Sequence, residues 1–322
     1  MKRAFVLLFV FVAAIALPLF ADDALVLPKG VLRTYLTTAY AFGDQKYDAD
    51  GEKVDSMDLK ALNVGFAMEY GVNDWITAAA QWAPGWTLWS KTDVGFSPLP
   101  YTSDVKVNGL YDLFLGAKLQ IVGPKAPVAS QKFRVAVAPG VKIPMPDADW
   151  DEQVDNLSAG DDVVLSSADK HAFGIGARAY CDYVINEMFF MNLYSEFIKY
   201  FERKDAEGIS VFPLGTTKQD IAYGYDLTLE FEPHFELPLA NSAKFSASLP
   251  LTYKMTPEIE YDGTAKADSD TTSLSLTPSV SYFFLAGALP FEAKLGYAVP
   301  LMGTNTTALN RVVFQFKSYL KF

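Results

Sequence analysis

Residues 221–237 read IAYGYDLTLEFEPHFEL. Tyr225, Leu227, Leu229, Phe231 and Phe235 hold the odd positions, and Asp226, Thr228, Glu230, Glu232, His234 and Glu236 the even ones. A strand turns successive side chains to opposite faces, so one face of this segment is greasy and the other charged. Residues 244–255 set Phe245, Ala247, Leu249, Leu251, Tyr253 and Met255 against Lys244, Ser246, Ser248, Thr252 and Lys254. Residues 273–282 set Leu274, Leu276, Val280 and Tyr282 against a file of Ser273, Ser275, Thr277, Ser279 and Ser281. Such runs exceed the roughly 5–6 residues of an average soluble strand. They reach the roughly 9–11 that a tilted strand needs to cross a bilayer.

A soluble β-sandwich also alternates, but its apolar face is a core that favours Val, Ile and Leu. Here aromatics gather toward both ends of the apolar face, as with Tyr223, Tyr225 and Phe235. Aromatic girdles at both interfaces are expected of a lipid-facing barrel. The alternation predicts strands near 30–43, 59–72, 75–86, 105–122, 132–143, 171–185, 188–201, 218–238, 244–256, 271–285, 289–302 and 310–322. Short connections at 73–74, 123–131, 186–187, 239–243 and 286–288 alternate with long polar ones at 44–58, 87–104, 144–170, 202–217 and 257–270, and a shorter one at 303–309. Short turns on one side and long loops on the other describe an outer-membrane barrel, and an even strand count returns the chain to its starting side. The expected fold is therefore all-β, a transmembrane antiparallel up-and-down barrel of about 12 strands over residues 22–322.

The N-terminus changes the picture by adding export. Met1-Lys2-Arg3 is basic, Ala4 to Ala21 is apolar and uncharged, and Asp22-Asp23 follow. That is the layout of a secretory signal, with cleavage expected after Ala21. Cleavage removes two bases and no acids from a chain of 27 Lys+Arg and 38 Asp+Glu with net charge −11, so the mature protein is more acidic still. Such a charge argues against a nucleic-acid partner, which calls for basic stripes. The lone Cys181 cannot form an internal disulfide.

The chain ends NRVVFQFKSYLKF. Val312, Phe314, Phe316, Leu320 and Phe322 share one face, with Ser318 the one polar interruption. This ending resembles the terminal-phenylalanine strand by which the outer-membrane assembly machinery recognises bacterial barrels. The resemblance implies Phe314, Phe316, Leu320 and Phe322 as an assembly signal, with that machinery and the lipid bilayer as partners. A second resemblance lies in LPKGVLRTYLTTAYAFGD and GFAMEYGVNDWITAAAQW, with the turn Gly71-Val72-Asn73-Asp74-Trp75. Over about the first 60 mature residues these are similar to outer-membrane transporters of the phenol-degradation pathway, relatives of the long-chain fatty-acid and hydrocarbon channels. The resemblance implies passage of small solutes, apolar or aromatic ones among them. The fatty-acid channels carry an N-terminal hatch, whereas here a strand is expected almost directly after Ala21.

Parity assigns the candidate lumen-lining residues. Arg134, Lys142 and Arg178 form a basic set, and Asp182, Asp226, Glu230, Glu232 and Glu236 an acidic one. Two readings stand side by side: the two signs face each other across an open lumen and orient a polar solute, or they pair and only hydrate the interior. The acid run with His234 also suggests a cation site, although one strand makes a poor cage. No cofactor or structural metal is expected, and Asp48-x-Asp50-Gly51 lacks the later ligands of a calcium loop. With only His171 and His234, and no nucleophile elbow, zinc spacing or phosphate loop, an enzyme is not expected. The functional expectation is a channel for small-molecule solutes, with a surface adhesin or structural barrel as the alternative.

Overall fold

The computed structural model describes residues 23–92, 105–165, 169–211 and 214–322. The predicted export signal lies outside them. Twelve strands among the described residues close into an antiparallel barrel. They are β1 (Val31–Tyr47), β2 (Lys53–Asn73), β3 (Ile76–Thr92), β4 (Leu113–Gly123), β5 (Phe133–Ile143) and β6 (Gly174–Val184). β7 (Phe189–Tyr200) and β8 (Tyr225–Pro238) follow, then β9 in two pieces (Lys244–Ser248 and Leu251–Thr256) and β10 in two (Thr271–Leu276 and Ser279–Ala286). β11 (Leu289–Thr304) and β12 (Asn310–Lys321) complete the set. Each strand pairs with its sequence neighbour, and β12 pairs with β1 from Val31↔Lys321 to Phe42↔Asn310. A closed ring leaves no unpaired edge, which is what hydrocarbon demands of a spanning sheet.

The barrel is inside out relative to a soluble protein. Its largest fully buried side chains include Gln120, Glu232, Asn63, Asn192 and Asp182, while Leu193 (58%), Leu295 and Leu229 lie exposed. Lipid removes the cost of exposing those leucines, and the lumen supplies partners for the polar groups. The two aromatic belts are visible across β7 and β8. Phe197 stacks on Tyr225 at one end (5.3 Å), and Phe189 packs on Phe235 at the other (5.0 Å). The interval from 225 to 235, at ~3.4 Å per residue and a tilt of ~35–45°, spans about 25 Å, the height of a barrel's apolar band. The polar interruption at Ser318 is resolved at the β1–β12 seam, where its hydroxyl meets that of Thr34 at 2.8 Å.

Three expectations need correction. The predicted loop 44–58 is mostly strand: β1 runs to Tyr47, β2 starts at Lys53, and only residues 48–52 turn. Polar strands pair as readily as apolar ones through backbone hydrogen bonds, so the hairpin continues past the apolar band. The predicted strand 218–238 is two elements. Gly224, at φ +70°, breaks it, and Leu214–Ala222 pairs with Arg203–Val211 in a separate small sheet with Glu260–Tyr261 and Thr264–Ala265. Tyr223, expected in a girdle, therefore leaves the wall and packs against a cluster of Ala172, Ile198 and Tyr200. Finally, the long polar connection 144–170, expected as a loop, contains a helix, α1 (Trp150–Ala159). Asp149 caps it by accepting from the Glu152 N–H, Asp151 and Glu152 suit the positive end, and Gly160 at φ +78° stops it.

Two segments enter the barrel. Residues 23–29 run inside the end carrying the short turns, and residues 169–171 descend from the long connection between β5 and β6. These two insertions decide what the lumen can do.

Candidate functional site

The N-terminal segment lies against the inner wall formed by β3 to β6. The Ala24 N–H donates to both carboxylate oxygens of Asp182 (3.1 Å each), and Gln120 donates to the Ala24 carbonyl (3.0 Å). Lys118 reaches the carbonyl of Asp23 (2.8 Å), and the Leu27 N–H donates to Thr77 (2.8 Å). Ala24 is fully buried among Ala136, Ala138 and Tyr180. Gly71 makes the entry path feasible, since a Cβ there would sit 2.1 Å from the Pro28 carbonyl oxygen. A glycine on the lumen face of a strand marks such a close backbone approach. That was the one sequence signal for this insertion.

At the opposite end, Asp169, Lys170 and His171 latch the β5–β6 connection into the mouth. Lys142 donates to Asp169 (2.9 Å) and to Tyr200 (3.1 Å), and Tyr200 donates to Asp226 (2.8 Å). Lys170 pairs with Asp226, and Asp169 also accepts from the backbone N–H of Asp112 (2.8 Å). His171 meets the Met145 carbonyl at 3.0 Å, and Arg203 pairs with Asp147 at 2.6 Å. Burial pushes the Asp169 carboxyl up, but the Lys142 ammonium and its hydrogen bonds override that and hold it at about 2. The sequence reading missed these loop residues because nothing local says that a loop folds inward.

All eight candidate lumen residues sit on the inner wall, and each basic one has an acid close by. Arg134 lies 3.6 Å from Asp182, its register partner on the next strand. Arg178 pairs with Glu196, again its register partner. Lys142 uses Asp169 from the loop. The basic set therefore does not look across an open lumen at the acids of β8. Those acids have their own partners: Asp226 with Lys170, Glu232 with Lys294 (3.4 Å) and His234 (3.1 Å), Glu236 with Lys244 (2.6 Å), while Glu230 accepts from Thr252 (2.5 Å). Two of these contacts bridge strands that are not neighbours. Lys294 on β11 reaches Glu232 on β8, and Arg178 on β6 donates to Gln81 on β3, each three strands away around the ring, and Gln81 donates on to Glu69 (2.9 Å). Glu69 in turn pairs with Arg33 and accepts from Tyr35 (3.0 Å). Gln81 and Asn192, which donates to Asp182 (2.8 Å), are uncharged lumen residues that a reading of charges overlooked. Among the described residues no cluster of His, Cys, Asp and Glu could hold a metal ion.

Among the described residues this filling leaves a cavity of about 160 Å³ at the short-turn end. It lies between Asp23 of the inserted segment and the wall of β1 and β7 to β12. Arg33, Lys244, Glu236, Lys317 and Glu292 rim it. The C-terminal residues lie on the outer seam. Phe314 and Leu320 point outward, Phe316 stacks on Phe291 (5.4 Å), and the Phe322 N–H donates to Gly30 (2.9 Å).

An apolar band outside, a polar interior and a closed twelve-strand ring define a membrane-spanning β-barrel with a largely filled lumen. No protein-family model matches the sequence, and no curated protein matches it. Among solved structures the chain is similar to the COG4313 outer membrane channel from Pseudomonas putida F1, with 15% identity over 93% of this chain and 99% of that one, at a TM-score of 0.67. Looser similarities run to the beta domain of the Bordetella autotransporter Brka (10% identity, 91% and 100% covered, TM-score 0.47) and to the P. putida toluene transporter TodX (11%, 92% and 91%, 0.46). At these identities the likeness is one of fold, and that fold is an outer-membrane barrel.

Proposed function

We propose that this protein is an outer-membrane channel through which small solutes diffuse, and that it is not an enzyme. The observation that carries this reading is the lumen. Its wall is polar along the strands, and the inserted segments leave a cavity of about 160 Å³ in it. A barrel serving only as a membrane anchor needs no such interior. Its fold is also that of a protein described as an outer membrane channel. Export by a signal cleaved after Ala21, and insertion by assembly machinery that reads the end of β12, belong to the same reading. Sequencing of the mature protein should then begin at Asp22.

The test is electrical. Purified mature protein in a planar bilayer should give discrete conductance steps, small because the lumen is largely filled. An adhesin or purely structural barrel gives none, and a silent bilayer together with absent solute uptake in liposomes would remove the channel reading.

A further inference from the structure

We infer that the cavity at the short-turn end is a subsite for a small, neutral, polyhydroxylated solute, and that the solute's path follows the inner wall of β9 and β10. The inference rests on the channel reading and narrows its solute class. It runs against the apolar solutes implied by the N-terminal resemblance.

The first ground is position. Residues 23–29 occupy the side of the lumen walled by β3 to β6, and the cavity remains on the other side. In a ring of twelve, β9 and β10 lie nearly opposite β3 and β4, so the inserted segment and this wall face each other across the gap.

The second ground is chemistry. Val280, Tyr282 and Leu249 are exposed to lipid, which turns their neighbours Ser279, Ser281 and Ser248 inward by the two-residue period. The register sets Ser246 beside Ser281 and Ser248 beside Ser279, and all four serines line the cavity. The file continues up β10 to Thr277. That residue is fully buried, and its hydroxyl has no hydrogen-bond partner among the described residues. A hydroxyl both donates and accepts and can rotate to suit, so paired serines exchange readily between one another, water and a hydroxylated guest. Ser248 and Ser279 already make that exchange, with their oxygens 2.7 Å apart.

The third ground is what the rim does not offer. Lys244 is paired with Glu236 (2.6 Å), Lys317 with Glu292 (3.5 Å), and Arg33 with Glu69. An ion entering here would have to break a pair, which strands a charge in a confined space. A neutral guest can hydrogen-bond to both members of a pair without separating them. Phe190 and His234 stack face to face at 4.2 Å beside the serines and line the same cavity. The Phe190 ring, held in place by that stack, gives the carbon side of a polyol an apolar surface. The cavity of about 160 Å³ corresponds to about five waters at ~30 Å³ each, enough for one short polyol.

Proteoliposome swelling decides the matter, with erythritol as the hydroxylated probe and glycine betaine as a hydroxyl-free zwitterion of nearly the same size. The wild-type barrel should pass erythritol several-fold faster. The double variant Ser246→Ala, Ser281→Ala removes hydroxyls without filling space and should collapse that ratio toward one. Ser279→Leu should slow erythritol by obstruction. Val280→Ala, on the lipid face of the same strand, should change neither rate, and the gel shift on heating verifies that each variant is a folded barrel. Equal rates for the two probes in the wild type, faster betaine, or an unchanged ratio in the alanine pair would each overturn the inference while leaving a conducting channel intact. Absence of both swelling and conductance would instead remove the channel reading, and the inference with it.

Discussion

Phe322 joins the chain's end to its beginning: its backbone N–H donates to Gly30, and its ring is 79% exposed. Deleting Phe322 should cut the outer-membrane yield sharply, and an undiminished heat-modifiable band on a gel would refute its role in assembly. On β8, Leu229 is exposed between the two aromatic belts and its neighbour Thr228 faces inward. Leu229→Arg should destabilise the barrel by about 2–4 kcal/mol in urea unfolding, since it places a charge near the bilayer midplane. Thr228→Arg should cost less, because acids and water are at hand in the lumen. Inside, Arg178→Met should cost about 3–5 kcal/mol by leaving Glu196 buried without its base. Adding Glu196→Gln should recover much of that loss. The inward and outward roles of these residues were legible in the sequence because the strand's period ties residue type to face. Their partners were legible only where register made them neighbours.

The strands were the legible elements, and the two insertions were not. Alternation locates a spanning strand because each outward position must tolerate hydrocarbon and each inward one must find polar company. No comparable rule acts on a connecting segment, so the stretch from β5 to β6 read as a long polar loop although it carries α1 and a latch. That latch has a defined pH dependence. The Asp169 carboxyl is held at about 2, below its ordinary value, so its contribution is complete above that ordinary value and disappears as pH falls toward about 2. Limited proteolysis between residues 144 and 173 should therefore be constant from about pH 8 to 5 and rise only in stronger acid. Asp169→Asn should make the connection cleavable at neutral pH. Equal protection of variant and wild type would show that α1 and the small outer sheet hold the connection without the latch.

For the molecule as a whole, pairing of the lumen charges predicts weak ion selectivity. The pairs at the cavity rim, Glu236 with Lys244 and Glu292 with Lys317, are partly exposed, so an ion passing the cavity meets them. Glu236→Gln with Glu292→Gln should shift reversal potentials under a salt gradient toward anions, and Lys244→Gln with Lys317→Gln toward cations. Both shifts should shrink as the Debye length falls to about 3 Å at 1 M salt. Selectivity that is unmoved by either pair would place the ion path elsewhere in the lumen.

The sequence by itself determined the barrel, its strand number and, within the spanning strands, which positions face inward and which outward; Tyr223, beyond the break at Gly224, is an exception. All of these follow from local periodicity acting against two solvents, hydrocarbon outside and water inside. Only the tertiary structure decided that the lumen is largely filled. Contacts such as Ala24 with Asp182 or Asp169 with Lys142 join residues far apart in the chain, and no periodicity connects them. Whether a charge faces an open pore or a neighbour depends on which segment folds into the space in front of it, and that is settled by packing rather than by pattern.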